Sequence, residues 1–284
     1  MEQHHAPAPP KETGADAAKD PADKTKGGKA PSDMTGIGAT VAVNRFIVAA
    51  KDVQANWASL KSEERADTFG KAANAELTAA GAYEVKPNLE DLGQFAGQFH
   101  FSTWILGLGK APFSAPSVSD AEASEMAATV YHESRHAEQW HRMARLLAGQ
   151  GKKPAEITTA LSIPAKVAVD AAAKPLKDAT TTEGKEATSW YESVYGLKSA
   201  ERNKLFKETR PKYRKLLDDA EAEYKKLLAG KTATKDQKDE AAKKYKAAYD
   251  TYQKEYYEKY RALPEESDSW AVEDKMKTAY MKKT

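Results

Sequence analysis

The stretch Ser119–Gly151, SDAEASEMAATVYHESRHAEQWHRMARLLAGQG, decides how the chain folds. Ser119 followed by Glu122 is a capping box, in which each residue's side chain satisfies the other's unbonded backbone N–H. No proline or glycine follows until Gly149 and Gly151. The spacing therefore predicts one helix over residues 120–148, roughly 30 residues and about 45 Å long. His132-Glu133-Ser134-Arg135-His136 lies in its middle. A helix turns by about 100° per residue, so His132 and His136 project from one face a turn apart, within reach of a common ion.

The rest of the composition narrows the chemistry. The chain has 284 residues, no cysteine and six histidines. Thiol nucleophiles, disulfides and Cys-ligated zinc are excluded, which leaves histidine and carboxylates as metal ligands. A net charge of +2 is too small for a nucleic-acid field. Mean hydropathy of -0.73 and the lack of a long apolar run argue against a membrane span. The first residues lack the apolar core of a signal peptide, so the expected location is the cytoplasm of the producing cell, with injection or another non-classical export route left open.

Neutral imidazoles bind zinc readily, and a third protein ligand would leave the fourth position to water. Glu133 could then take a proton from that water as it attacks a peptide carbonyl. A chance H-E-x-x-H arises on the order of once per hundred such sequences. Two surface histidines, or a metal held without turnover, are the competing readings. A metzincin pattern fails because Gln139 replaces the turn glycine and His141 comes one residue early. If the helix continues, His141 points away from His136 and is expected to be solvated or outside the ligand set. Glu133-x-x-His136 and Glu138-x-x-His141 form two E-x-x-H pairs, but both sit on one helix, unlike the facing pairs of di-iron bundles. The third ligand must then come from afar. The best candidate segment is Leu263-Pro264-Glu265-Glu266-Ser267-Asp268-Ser269-Trp270, where Pro264 can open a last helix with acids in its first turn. Those acids could equally serve only the helix dipole.

Working outward, residues 1–34 are rich in Ala, Pro, Lys, Asp and Gly and are expected to form a disordered tail; His4 and His5 in it are read as solvated. A first helix carries Val41, Phe46, Ile47 and Val48 on its apolar face, and a second starts at Ser62 and ends near Gly81. Alternation over Phe99, Phe101, Thr103 and Ile105 predicts one edge or near-edge strand from Phe99 to Leu106 beside the metal-motif helix, able to take an extended peptide. Shorter helices follow, interrupted at Pro164. Residues 199–262 read as a charged helical hairpin turning at Gly230, with Tyr245, Tyr249, Tyr252, Tyr256 and Tyr260 forming one packing stripe.

Together, the strand, Tyr131–Trp140 and the late Leu-Pro-Glu-Glu-Ser-Asp segment resemble gluzincin-type, zincin-like peptidase domains of bacterial polymorphic toxins and contractile-injection-system cargoes. The resemblance covers roughly residues 40–195 and 255–284. It implies a zinc metallopeptidase (hydrolase) acting on peptide or protein substrates, as a toxin or injected effector, with an injection-system component engaging the N-terminal tail. Carried over, it makes His132 and His136 zinc ligands, Glu133 the catalytic base and Glu266 the third ligand. Glu265 is the alternative ligand, and Asp268 could orient an imidazole. Trp270 departs from the thermolysin-like pattern, which has an aspartate there. The expected fold is α+β and predominantly helical: a tail 1–34, a zincin-like core 35–198 with a small β-sheet, a long charged helical hairpin 199–262 and a C-terminal helix 263–284 that completes the metal site. The alternative function is a non-catalytic cargo or structural protein in which the metal staples the fold. Arg135, His100 and Tyr260 are all candidate oxyanion stabilisers.

Overall fold

A computed structural model of the protein describes residues 34–93, 95–230 and 232–282. The predicted tail, with His4 and His5, lies outside the described residues up to residue 33. Met34, which composition had joined to that tail, is buried in the core. The fold is predominantly helical with one small sheet, and the chain divides into two compact units. Among the described residues, one unit comprises 34–196 and 264–282; the other comprises 197–263.

In the larger unit, α1 (Thr40–Ala55) buries Ala42, Val43, Phe46, Ile47, Ala50 and Val53. Val41 and Val48 were expected on the same face but are 62% and 64% exposed. They stand seven residues apart on the stripe opposite Phe46, so the helix cannot bury both sets. α2 (Ser62–Ala79) packs on α1, and Phe46 meets both Phe69 and Tyr131, at centroid distances of 6.0 and 4.6 Å.

The single strand predicted over Phe99–Leu106 is instead a hairpin. β1 (Lys86–Glu90) runs parallel to β3 (Ile105–Gly109), and β2 (Gly97–His100) runs antiparallel to β3, giving the order β1-β3-β2. The chain reverses at Trp104, whose φ is 61° and whose N–H donates to the His100 carbonyl at 2.7 Å. A left-handed non-glycine residue costs about 1–2 kcal/mol. Burial of the indole offsets that cost, since Trp104 is 1% exposed and meets the Phe99 ring edge-on at 5.2 Å. β2 is an edge strand and packs against the metal-motif helix, so the expected placement beside that helix holds for Phe99 and His100.

After the short α3 (Lys110–Phe113) comes α4 (Asp120–Gly149), capped by Ser119 and Glu122 as the sequence predicts. It runs through the middle of its unit, contacting α1, α2, β2 and the later α5 (Pro154–Leu161), α6 (Ala165–Ala173), α7 (Thr182–Val194) and α12 (Pro264–Tyr280). Every residue from Met126 to Ala144 is buried, so α4 has no solvated face there. Its charged side chains pair inside the protein. Glu138 accepts from Arg135 Nη1 at 2.5 Å and from the Ile37 N–H at 3.1 Å, and it also accepts from Arg142. Gly36, at φ +61°, passes so close that a Cβ there would collide with the Glu138 carboxylate and Arg142.

The second unit is a helical hairpin. α8 (Ser199–Lys204) leads through a π turn, Leu205–Thr209, into α9 (Arg210–Ala229); α10 (Lys235–Tyr252) leads through another, Gln253–Tyr257, into α11 (Glu258–Arg261). Pro211 has no N–H to offer the preceding turn, and the Arg210 N–H reaches back to the Leu205 carbonyl, which widens the helix there. Tyr245, Tyr252, Tyr256 and Tyr260 are buried with Leu205 and Leu217, while Tyr249 is half-buried against them. The tyrosine stripe is therefore the packing seam of the hairpin.

Candidate metal centre

Two helices supply the site. His132 and His136 come from the buried middle of α4, and Glu266 from the first turn of α12. Pro264 opens that turn, and its acids are favoured there by the helix dipole. His132 Nε2 and His136 Nε2 stand 3.1 Å apart. Glu266 Oε2 lies 3.6 Å from His136 Nε2 and 4.0 Å from His132 Nε2. These three side chains are buried and converge closely enough to hold a metal ion.

The local electrostatics favour positive charge between the rings. Burial alone would hold His136 neutral, but the Glu266 carboxylate beside it, aided by Glu133 and Gln139, outweighs burial and raises its pKa to about 9. Glu133 is buried beside the histidines, and burial pushes its carboxyl above the usual carboxylate range against the opposing pull of His132 and His136. Its Oε2 accepts the Phe99 N–H of edge strand β2 at 2.9 Å. The prospective base is thus held against the strand expected to take an extended peptide.

The surrounding residues differ from expectation. Glu265 is buried, and its backbone carbonyl accepts from Gln139 Nε2 at 2.8 Å; the converging ligand group contains Glu266. Asp268 does not orient an imidazole directly. It receives Arg135 Nε at 2.7 Å and Gln139 Nε2 at 2.8 Å, and Gln139 stands between it and His136. Gln139 Oε1 makes the contact with His136 Nδ1, at 2.8 Å. Glu273 comes within 2.8 Å of His132 Nδ1. Trp270 stands where the thermolysin-like pattern has an acid, and its ring packs against His132 at a centroid distance of 5.0 Å.

Neither Gln139 nor Glu273 was singled out from sequence. Gln139 is three residues beyond His136, and Glu273 is seven beyond Glu266, so each shares a helix face with its ligand. Those spacings become informative only once both ligands are fixed. His141 points away from the centre but is not solvated: it is buried, with Nε2 2.9 Å from Asp170 Oδ2. Among the oxyanion candidates, Arg135 is occupied by Asp268, Glu138 and the Thr35 carbonyl. His100 pairs with Glu90 across the sheet, and Tyr260 packs on Phe206 and Tyr256 in the hairpin. No protein-family model, curated protein or solved structure matches the chain.

Proposed function

We propose that the protein is a zinc-dependent peptide hydrolase with His132, His136 and Glu266 as the metal ligands and Glu133 as its general base. The observation carrying this reading is the buried convergence of those three ligand groups, with Glu133 on the same helix as the two histidines. Around a tetrahedral zinc with ligand bonds of roughly 2.0–2.1 Å, neighbouring donor atoms stand about 3.3 Å apart. The 3.1 Å separation of the imidazole nitrogens fits that edge, and the Glu266 oxygen at 3.6 and 4.0 Å needs to move in by a few tenths of an ångström. Nitrogen donors with one carboxylate suit zinc, and there is no thiolate to draw a softer ion.

Zinc bound there would supply Lewis acidity, polarising the scissile carbonyl and acidifying water. Glu133, with its carboxyl pushed upward by burial, is suited to hold the proton it takes from the attacking water and returns to the leaving amine. An extended peptide added to the edge of β2 takes over the Phe99 N–H and frees the Glu133 carboxylate to face the reaction. An origin as a toxin or injected effector accords with the family resemblance and belongs to the same proposal.

Burial of His132, Glu133, His136 and Glu266, none more than 2% exposed, favours a second reading in which the metal only staples α4 to α12. Zinc analysis of the purified protein with a peptide-library cleavage assay separates the two. A peptidase cleaves peptides, and its Glu133→Gln variant keeps zinc while losing about 10²–10⁴-fold in rate. A staple raises thermal stability when zinc is added and shows no cleavage in the parent. A parent that binds no zinc overturns both.

A further inference from the structure

Arg135 occupies a variable position of the H-E-x-x-H motif, yet it is fully buried and makes a specific set of bonds. Its Nε and Nη2 grip the two Asp268 oxygens, at 2.7 and 3.1 Å. Its Nη1 reaches the Thr35 carbonyl at 2.8 Å and Glu138 at 2.5 Å. Asp268 so held accepts hydrogen bonds from N–H donors on both of its oxygens. Its Oδ2 faces Gln139, whose amide nitrogen also meets the Glu265 carbonyl at 2.8 Å and Ser269 Oγ at 3.1 Å.

Those partners determine which way the Gln139 amide points. Asp268 and the Glu265 carbonyl are pure acceptors, so the NH2 end must face them and Oε1 must face His136. Oε1 lies 2.8 Å from His136 Nδ1, which must therefore be the donor. With Nδ1 committed as the donor, the hydrogen that the ring gives up when a metal binds is the one on Nε2, whose lone pair then faces His132 and Glu266, the orientation a metal requires.

We infer that Arg135, Asp268 and Gln139 form a buried relay that selects the metal-binding tautomer of His136, with Arg135 and Asp268 acting as positioning residues through Gln139. The inference rests on His132, His136 and Glu266 binding metal, as proposed above. The relay crosses from α4 to α12 and back, and its far end is anchored on the main chain at Thr35. It uses a glutamine amide, whose two ends differ, so its direction is set by the anion behind it. Lysine cannot replace Arg135, because an ammonium lacks the planar fork that grips two oxygens while a third nitrogen bonds elsewhere.

The test uses the full chain, zinc alone as probe, and the variants Asp268→Asn, Gln139→Met and Arg135→Lys. Zinc affinity is measured by chelator competition, and the His136 Nδ1–H resonance is followed by NMR in the metal-free protein. In the parent this proton should be visible and slow to exchange. Each variant should weaken zinc binding about 10–100-fold and lose or broaden that resonance. Should Asp268→Asn or Arg135→Lys fail to fold, Gln139→Met decides alone, since it removes the amide while keeping volume and charge. Affinity within threefold of the parent together with an intact resonance in Gln139→Met would overturn the relay. A parent that binds no zinc defeats the metal reading; the resonance then still decides whether Gln139 directs the ring.

Discussion

Glu273→Gln probes the His132 side of the centre. Glu273 Oε2 lies 2.8 Å from His132 Nδ1, and Oε1 lies 2.9 Å from Lys277 Nζ. Both neighbours present hydrogens, and a glutamine has only one oxygen to offer. If its NH2 faced His132, the ring would have to reverse its tautomer and turn an N–H on the metal. If its NH2 faced Lys277, the ammonium could withdraw to Glu125, already 2.7 Å away on the half-exposed side. The second arrangement costs less. What is lost is the difference between a charge-assisted contact, about 1.5–3 kcal/mol, and a neutral one, about 0.5–1.5 kcal/mol. The expected loss is about 1.4 kcal/mol, or about tenfold in zinc affinity. Glu273→Leu leaves a buried Nδ1–H without an acceptor and should cost about 1–3 kcal/mol more. Chelator competition near pH 7.5 measures both, with thermal unfolding of the metal-free variants as the check on folding. Zinc affinities within twofold of the parent in both variants would refute the claim that Glu273 orients His132.

The other predictions address different parts of the structure. Glu266→Ala should weaken zinc binding at least about a hundredfold, whereas Glu265→Gln should leave it within a few fold, because only Glu266 belongs to the ligand group. Equal losses would show that the two acids exchange roles. Burial lowers the pKa of His141 to about 4, against the pull of Asp170. Between pH 4 and 6.5 the unfolded chain therefore binds a proton that the native site refuses, and stability falls as pH falls. From pH 7.5 to pH 5 in urea unfolding the parent should lose about 2 kcal/mol more than His141→Gln, a difference that isolates this group from His136, whose raised pKa works in the opposite direction. Gly36→Ala combines a left-handed backbone with a collision against Glu138, and should destabilise by about 3 kcal/mol or more in the same assay.

The metal-motif helix was readable because its start and stop are local signals, a capping box and two glycines. The late acids were readable for the same reason, since Pro264 announces a helix start. What failed was long-range. The reversal at Trp104 depends on an indole pocket built from Tyr83 and Phe99, and Phe101–Trp104 holds no glycine, proline, asparagine or aspartate to signal a turn. Arg135, Glu138 and Arg142 carry no sequence signal of burial, because charged residues are almost never fully buried unless they are paired. Here they satisfy one another, together with Asp268, Glu186 and the backbone at Thr35 and Ile37, so the whole face can be buried. His141 lies outside the ligand group as expected, but its burial depends on Asp170, a partner on another helix that its own spacing does not announce. Glu273 and Gln139 carry no signal of their own, since their importance depends on which α12 residues oppose α4.

The hairpin lies in the sequence between the histidines of the centre and its carboxylate. On the ribosome, Glu266 is made roughly 130 residues after His136, a delay of about 7–26 s at 5–20 residues per second. Throughout that interval the nascent chain holds two imidazoles without their acid and cannot assemble the complete ligand set. The three side chains that could hold a metal can therefore converge only after synthesis of the hairpin.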